Sequence, residues 1–163
     1  MNGTMISYAN ETIEFKDCPS CCFANHQFSL PCGIAFENEN FTVSQDWELP
    51  IPGFFVIAPK KHVENLCELS DEEQAEMFAI MNKTIRILKE NGVCNKFNFI
   101  CEEKKNVHLH IWIMPRHEWM NQLVGNITKN IGAIFAHAKK FLRTDENYEY
   151  IKKVSDMVKK GFE

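Results

Sequence analysis

The chain has 163 residues, 45% hydrophobic and 25% charged, the make-up of a soluble globular chain long enough for a real core. A net charge of −4 excludes the diffuse basic footprint of a nucleic-acid binder, though not a small local phosphate site. No apolar run is long enough to span a bilayer.

The opening MNGTMISYANETIEFKD has neither a basic n-region nor an apolar h-region, so no export signal is expected. Seven scattered cysteines then suggest reduced thiols in a cytoplasmic protein. The sequons at Asn40-Phe41-Thr42 and Asn126-Ile127-Thr128 are read as by-products of an Asn-rich composition.

Residues 1–17 are polar and predict a loose arm or a short edge segment. Cys18-Pro19-Ser20-Cys21-Cys22 follows. A Cys-x-x-Cys is half a zinc site, a redox pair or two inert thiols. The intervening Pro-Ser, with no βαβ unit around it, favours a turn aiming two thiolates at one metal; inert thiols stay close behind, and Cys22 blurs the pairing. Cys32, Cys67, Cys94 and Cys101 sit among apolar residues and predict core packing.

Gly33–Phe36 and Phe41–Ser44 predict two strands around a polar turn. A proline-broken loop runs from Asp46 to Gly53, and Phe54–Ala58 predicts a buried strand ending at Pro59-Lys60-Lys61-His62. Ser70-Asp71-Glu72-Glu73 is a capping box. The helix behind it carries Ala75, Phe78, Met81, Ile85 and Leu88 at spacings of three and four, and Asn91-Gly92 ends it. Lys96–Cys101 predicts a strand, and Glu102–Asn106 the turn of an antiparallel hairpin.

The return strand is Val107-His108-Leu109-His110-Ile111-Trp112-Ile113-Met114-Pro115-Arg116. Period-two alternation puts Val107, Leu109, Ile111 and Ile113 on one face, and His108, His110, Trp112 and Met114 on the other. Beyond Arg116 the pattern is helical. Leu123, Ile127, Ile131, Ile134, Phe135, Ala138 and Phe141 form one face, with Gly125 and Gly132 suggesting close packing. A final helix follows Thr144 with Ile151, Val154 and Val158 inside, acidic at its start and basic at Lys159-Lys160.

The strand resembles the signature of the histidine triad (HIT) superfamily, His-φ-His-φ-His-φ-φ before Pro-Arg. His108 and His110 match the first two histidines, and Trp112 stands at the third. Cys18-x-x-Cys21, Pro59-Lys60-Lys61-His62 and Asp46 match further pieces in family order, so the resemblance spans roughly residues 18 to 119. It implies an α+β fold: a HIT-like antiparallel sheet with packed helices. The chain is expected to form one domain over residues 1–163, with a core over about 15–118 and a C-terminal helical extension over about 119–163.

The resemblance further implies a closed structural zinc site of Cys18, Cys21, His62 and His108. It implies that His110 is a nucleophile attacking a nucleotide α-phosphorus to form a nucleotidyl-histidine. The activity expected is that of a nucleotide phosphohydrolase or nucleotidyltransferase acting on dinucleoside polyphosphates, nucleoside phosphoramidates or nucleotide sugars. Asp46 would receive ribose hydroxyls, and Ile34, Phe36, Phe41 and Trp47 are candidate walls for the base. A homodimer is expected, with no nucleic acid or membrane partner.

Three departures bear on activity. Trp112 replaces a phosphate-contacting histidine. Phe54 replaces a histidine that usually follows glycine. Lys104 and Lys105 stand where Gln and Ser usually assist; they either supply positive charge to the phosphate or form a solvated turn beside Glu102-Glu103. The alternatives to an enzyme are therefore a nucleotide-binding protein of impaired chemistry and a structural zinc protein with no nucleotide site.

Overall fold

The computed structural model describes residues 2–163. Its centre is a five-stranded antiparallel sheet of order β3-β4-β5-β7-β6. The strands are β3 (Phe36–Glu37), β4 (Phe41–Gln45), β5 (Phe55–Pro59), β6 (Phe97–Cys101) and β7 (Ile111–Pro115). Strands β6 and β7 form the expected hairpin, with Phe97 opposite Pro115 and Cys101 opposite Ile111. Outside this sheet, β1 (Asn2–Ile6) and β2 (Thr12–Lys16) form a hairpin of their own.

Alternation divides the sheet into two faces. Phe41 and Val43, Phe55 and Ile57, and Ile111 and Ile113 join the largest buried cluster. Helices α2 (Asp71–Glu90) and α5 (Asp145–Phe162) contribute to it. Helix α2 starts at the predicted capping box: the Glu73 amide donates to Ser70 Oγ at 3.2 Å and the Ser70 amide to Glu73 Oε2 at 2.8 Å. It ends at Asn91, with Gly92 at φ +69°, a conformation that favours glycine. Its buried stripe runs through Met77, Ile80, Met81, Thr84, Ile85 and Leu88. Phe78 and Ala75 are both exposed, because the stripe follows the sheet and α5 rather than a straight line of threes and fours. In α5, Ile151, Val154 and Val158 are fully buried, as expected.

The opposite face is covered at two places. At one end α3 (Glu118–Val124) and α4 (Ile131–Phe141) enclose Phe54, Met114, Met120 and Ile134. A second cluster combines Met5 and Ile13 of the β1–β2 hairpin with Phe23 of α1 (Pro19–Ala24) and Leu30. No helix among the described residues is long and apolar enough to cross a membrane.

Several expectations are corrected. The polar arm is a hairpin; of its residues, Met1 lies outside the described ones. Its inward residues, Met5 and Ile13, are too few and too spaced to announce a strand pair. The Gly33–Phe36 strand shrinks to Phe36–Glu37.

Strand β7 starts only at Ile111 because its partner β5 ends on Pro59, which has no N–H to extend the ladder. The Leu109 amide donates to the Val63 carbonyl instead, at 2.7 Å. Val107 is accordingly exposed while Leu109 is buried.

Of the four cysteines assigned to the core, only Cys94 is buried; Cys67 and Cys101 are exposed and Cys32 is half-buried. Gly125, at φ +64°, ends α3, and neither it nor Gly132 has a neighbour close to a Cβ position. The expected single helical face is thus broken into two helices, leaving Leu123 and Phe141 exposed.

Candidate functional site

Cys18 caps α1 and Cys21 lies one turn later, so their thiols share one side of the helix. His62 follows β5 and His108 precedes β7. One ligand atom from each of these four residues lies within 4.8 Å of the others. His108 Nδ1 is 3.4 Å from both Cys18 Sγ and Cys21 Sγ, and His62 Nδ1 is 3.4 Å from Cys21 Sγ. A tetrahedral zinc with ordinary Zn–S and Zn–N bonds separates S from N by about 3.5 Å. His108 Nε2 donates to the Pro59 carbonyl at 2.7 Å, so Nδ1 carries the lone pair facing the thiols.

Burial pushes the Cys21 thiol up to about 12 and lowers the His108 pKa, disfavouring charge unless a cation is shared. The donor set and spacing therefore fit a closed zinc site. Cys22 is not part of it: its buried thiol donates to the Lys16 carbonyl at 3.0 Å. The Cys-x-x-Cys does open a helix, but beside an antiparallel sheet and facing imidazoles.

His110 stands two residues further on, half-buried. Its Nδ1 donates to the His108 carbonyl at 2.9 Å. That hydrogen bond fixes the tautomer and leaves Nε2 with the lone pair. The ring borders a cleft of about 570 Å³ between the β1–β2 hairpin with α1 and the sheet. The sheet supplies the floor through Thr42, Ser44, Val56, Ala58 and Trp112.

Trp112 sits beside the nucleophile candidate, its ring 6.0 Å from that of His110. It is held edge-on against Phe54, at 5.6 Å and 84°, and against Phe135 of α4, at 5.7 Å and 64°. Phe54 itself is fully buried.

At the far end of the floor, Asp46 is 6% exposed and lines the cleft. One carboxylate oxygen accepts from the amides of Glu48 at 3.0 Å and Leu49 at 2.8 Å. Burial raises its pKa to about 7, against these two hydrogen bonds, which lower it. Neighbouring Trp47 and Glu48 also line the cleft, and Glu48 is ion-paired with Lys139 of α4.

The sequence-predicted residues divide. Asp46, Trp47, His110 and Trp112 meet at the cleft, with Cys18 and His108 at its edge. Lys104 and Lys105 do not line it, and Lys104 pairs with Glu102 at 2.8 Å, the solvated-turn arrangement. Of the candidate base walls only Trp47 lines the cleft. Phe41 is in the main core, Phe36 stacks on Phe162 at 4.1 Å, and Ile34 packs with Leu30 and Phe23. The walls that sequence reasoning missed are Met5, Phe23, Phe28 and Leu30. For Phe23, Phe28 and Leu30 the available signal was their apolar character just after the cysteine pair; Met5 had none.

The HIT domain family model matches residues 27–119. This chain belongs to the HIT domain family. It is similar to an uncharacterized HIT-like protein of Methanocaldococcus jannaschii, 27% identical over 112 residues, covering 66% of this chain and 84% of the relative. An uncharacterized HIT-like protein of Chlamydia muridarum is 30% identical over 53% of this chain and 72% of its own length.

Among solved structures, this HIT protein resembles a hypothetical histidine triad nucleotide-binding protein from Sulfolobus tokodaii. The TM-score is 0.62 at 22% identity, over 88% of this chain and 92% of that one. A Zn-bound histidine triad family protein from Mycobacterium smegmatis gives 0.59 at 19% identity, over 85% and 92%. At these identities the likeness shows the fold, an α+β HIT fold.

Proposed function

We propose that this HIT protein is a nucleotide phosphohydrolase or nucleotidyltransferase that works through a covalent nucleotidyl-His110. The observation carrying the reading is the 2.9 Å hydrogen bond from His110 Nδ1 to the His108 carbonyl. It holds the proton on one nitrogen and leaves the other available at the cleft, as nucleophilic attack by neutral imidazole requires.

In the first half-reaction the Nε2 lone pair forms a bond to the α-phosphorus, and the leaving group departs with its bonding electrons. In the second, water or another acceptor attacks phosphorus and the N–P electron pair returns to Nε2. Asp46 would accept from ribose hydroxyls, and Trp47, Phe23 and Phe28 would flank the base.

Cys18, Cys21, His62 and His108 would hold zinc as a structural cross-link that fixes the carbonyl orienting His110. A homodimer in a cytoplasmic setting completes the proposal, and sedimentation velocity tests the dimer.

The second reading, a nucleotide-binding protein of impaired chemistry, draws on Trp112 and Phe54 standing where the family has histidines. One experiment separates the two. The protein is incubated with labelled adenylate derivatives (a phosphoramidate, diadenosine triphosphate and an aryl ester), quenched under alkaline conditions and mapped by mass spectrometry. Label on His110, absent in His110→Ala, supports the enzyme. A melting shift with AMP but no label supports the binder. Neither, with bound zinc, supports a structural zinc protein.

A further inference from the structure

The cleft also bears on which leaving group the chemistry suits. Among the described residues lining it there is no lysine or arginine, and Lys139 reaches only its rim, where it is ion-paired with Glu48. A polyphosphate tail brings several negative charges and needs cations or many N–H donors to replace its water. This cleft supplies apolar walls and aromatic rings.

The atom leaving phosphorus also needs a place for its electron pair. An amine leaves only if it is protonated as it departs. Next to His110 on the same floor stands Trp112, whose indole N–H donates a hydrogen bond but is not an acid. His110 itself has its one proton committed to the His108 carbonyl.

Ser44, Ser20 and Asn106 also line the cleft, and none is an acid in the working range. Asp46 is acidic enough but misplaced. Ser44 and Val56 are register partners, as are Val56 and Trp112. Asp46 therefore lies two strands over and two residues beyond Trp112, on the order of 12 Å away at ordinary sheet spacings.

Resting on the nucleotidyl-His110 reading, we propose that the preferred substrate is a nucleoside 5′-phosphate esterified to a phenol, with its aryl ring against Trp112. Such a group carries no charge before cleavage. It departs as a phenoxide, stable without a proton donor because phenols ionise at about 10. Its flat ring suits a wall made of the Trp112 indole, itself braced by Phe54 and Phe135.

Nε2 forms N–P as P–O(aryl) breaks, and the electron pair leaves on the phenoxide, which takes a proton from solvent. Water then forms O–P as N–P breaks, the pair returns to Nε2, and the water's proton is released. The products are a nucleoside monophosphate and a phenol.

The test compares kcat/KM of the purified protein for adenosine 5′-(phenyl phosphate), the corresponding anilide and diadenosine triphosphate, with His110 labelling followed in parallel. The phenyl ester is expected to lead both others by about tenfold or more. That order runs against intrinsic reactivity for the dinucleotide, whose leaving group is the better one. Trp112→His, which restores a proton donor and a phosphate contact, narrows both gaps. Phe135→Leu, which removes only the ring bracing the indole from α4, raises KM for the phenyl ester while diadenosine triphosphate stays disfavoured.

Label on His110 with the dinucleotide or the anilide turned over as fast as the phenyl ester overturns the choice of leaving group and spares the parent reading. No label from any of the three overturns both.

Discussion

Asp46 is a carboxyl group placed where its charge is expensive, and replacing it by an amide exposes the cost. In the folded protein burial raises its pKa from 3.8 to about 7. Below about pH 4 the group is protonated in both folded and unfolded chains and costs nothing. As pH rises from there toward 7, the unfolded chain releases the proton and the folded chain keeps it, so stability falls. Above about 7 both are ionised and the full penalty is in place.

The gap between 3.8 and about 7 corresponds to about 4 kcal/mol. In Asp46→Asn the side-chain amide keeps an oxygen that can accept from the Glu48 and Leu49 amides and does not titrate. The stability of this variant relative to wild type is therefore expected to improve by about 4 kcal/mol between about pH 4 and pH 8, most of it below about pH 7. Urea unfolding of both proteins across that range, at one fixed zinc concentration, measures the difference and cancels whatever the metal site itself titrates. A difference that stays flat with pH would refute the reasoning. The same variant is expected to bind AMP about tenfold more weakly through a lost charged acceptor, so stability and binding move in opposite directions.

Cys21→Ser or His62→Ala is expected to abolish zinc retention by elemental analysis and to lower the melting temperature to that of chelator-treated wild type, since binding energy at such a site is folding energy. If zinc stays at full occupancy in both variants, the four-ligand assignment is wrong. Lys104→Ala with Lys105→Ala is expected to leave AMP affinity within about twofold, because exposed charges outside the cleft contribute little; calorimetry decides, and a large loss would return the lysines to the site. Gly161→Ala places a Cβ 2.6 Å from Ile87 Cδ1 and 2.7 Å from its Cγ1. It should cost about 1–2 kcal/mol in urea unfolding despite the better helix propensity.

Local rules made much of this legible. The capping box at Ser70, the Asn91-Gly92 stop and the alternation through Ile111 and Ile113 are each determined within a few residues, and each appears as expected. The Cys18, Cys21, His62 and His108 grouping was legible only through its order along the chain, since nothing local joins residues 90 apart. What escaped is what tertiary contact decides. Met5 and Ile13 look like isolated apolar residues in a polar arm until Phe23 and Leu30 meet them. Phe36 and Phe41 carry the right chemistry for a base pocket, but alternation and α5 turn them to the other side of the sheet. Lys104 has the charge for a phosphate contact, yet Glu102 two residues away is the nearer partner.

Phe54 and Trp112 look in the sequence like two unrelated departures from the histidine triad pattern. In the fold they are one contact, ring to ring, and Phe135 of α4 closes it from above. The three belong together on physical grounds. A histidine at 54 would be a fully buried imidazole among Leu49, Ile51 and Met114, where desolvation without a partner is costly. An indole at 112 without Phe135 would leave an aromatic face open to water. Helix α4 is therefore tied to the change in the site: it covers the apolar surface that the two aromatic residues create. Through Lys139 it also reaches Glu48 at the rim of the cleft. Restoring histidine at 112 alone then leaves Phe54 and Phe135 packed on a smaller, polar ring. Trp112→His should thus be less stable than wild type by about 1–2 kcal/mol, because a half-buried indole loses its ring contacts with Phe54 and Phe135. Adding Phe54→His should deepen the loss rather than relieve it, because α4 still presents Phe135 to both positions. Recovery of stability in the double variant would show that α4 is indifferent to what lies beneath it, and the link between that helix and the site would fail.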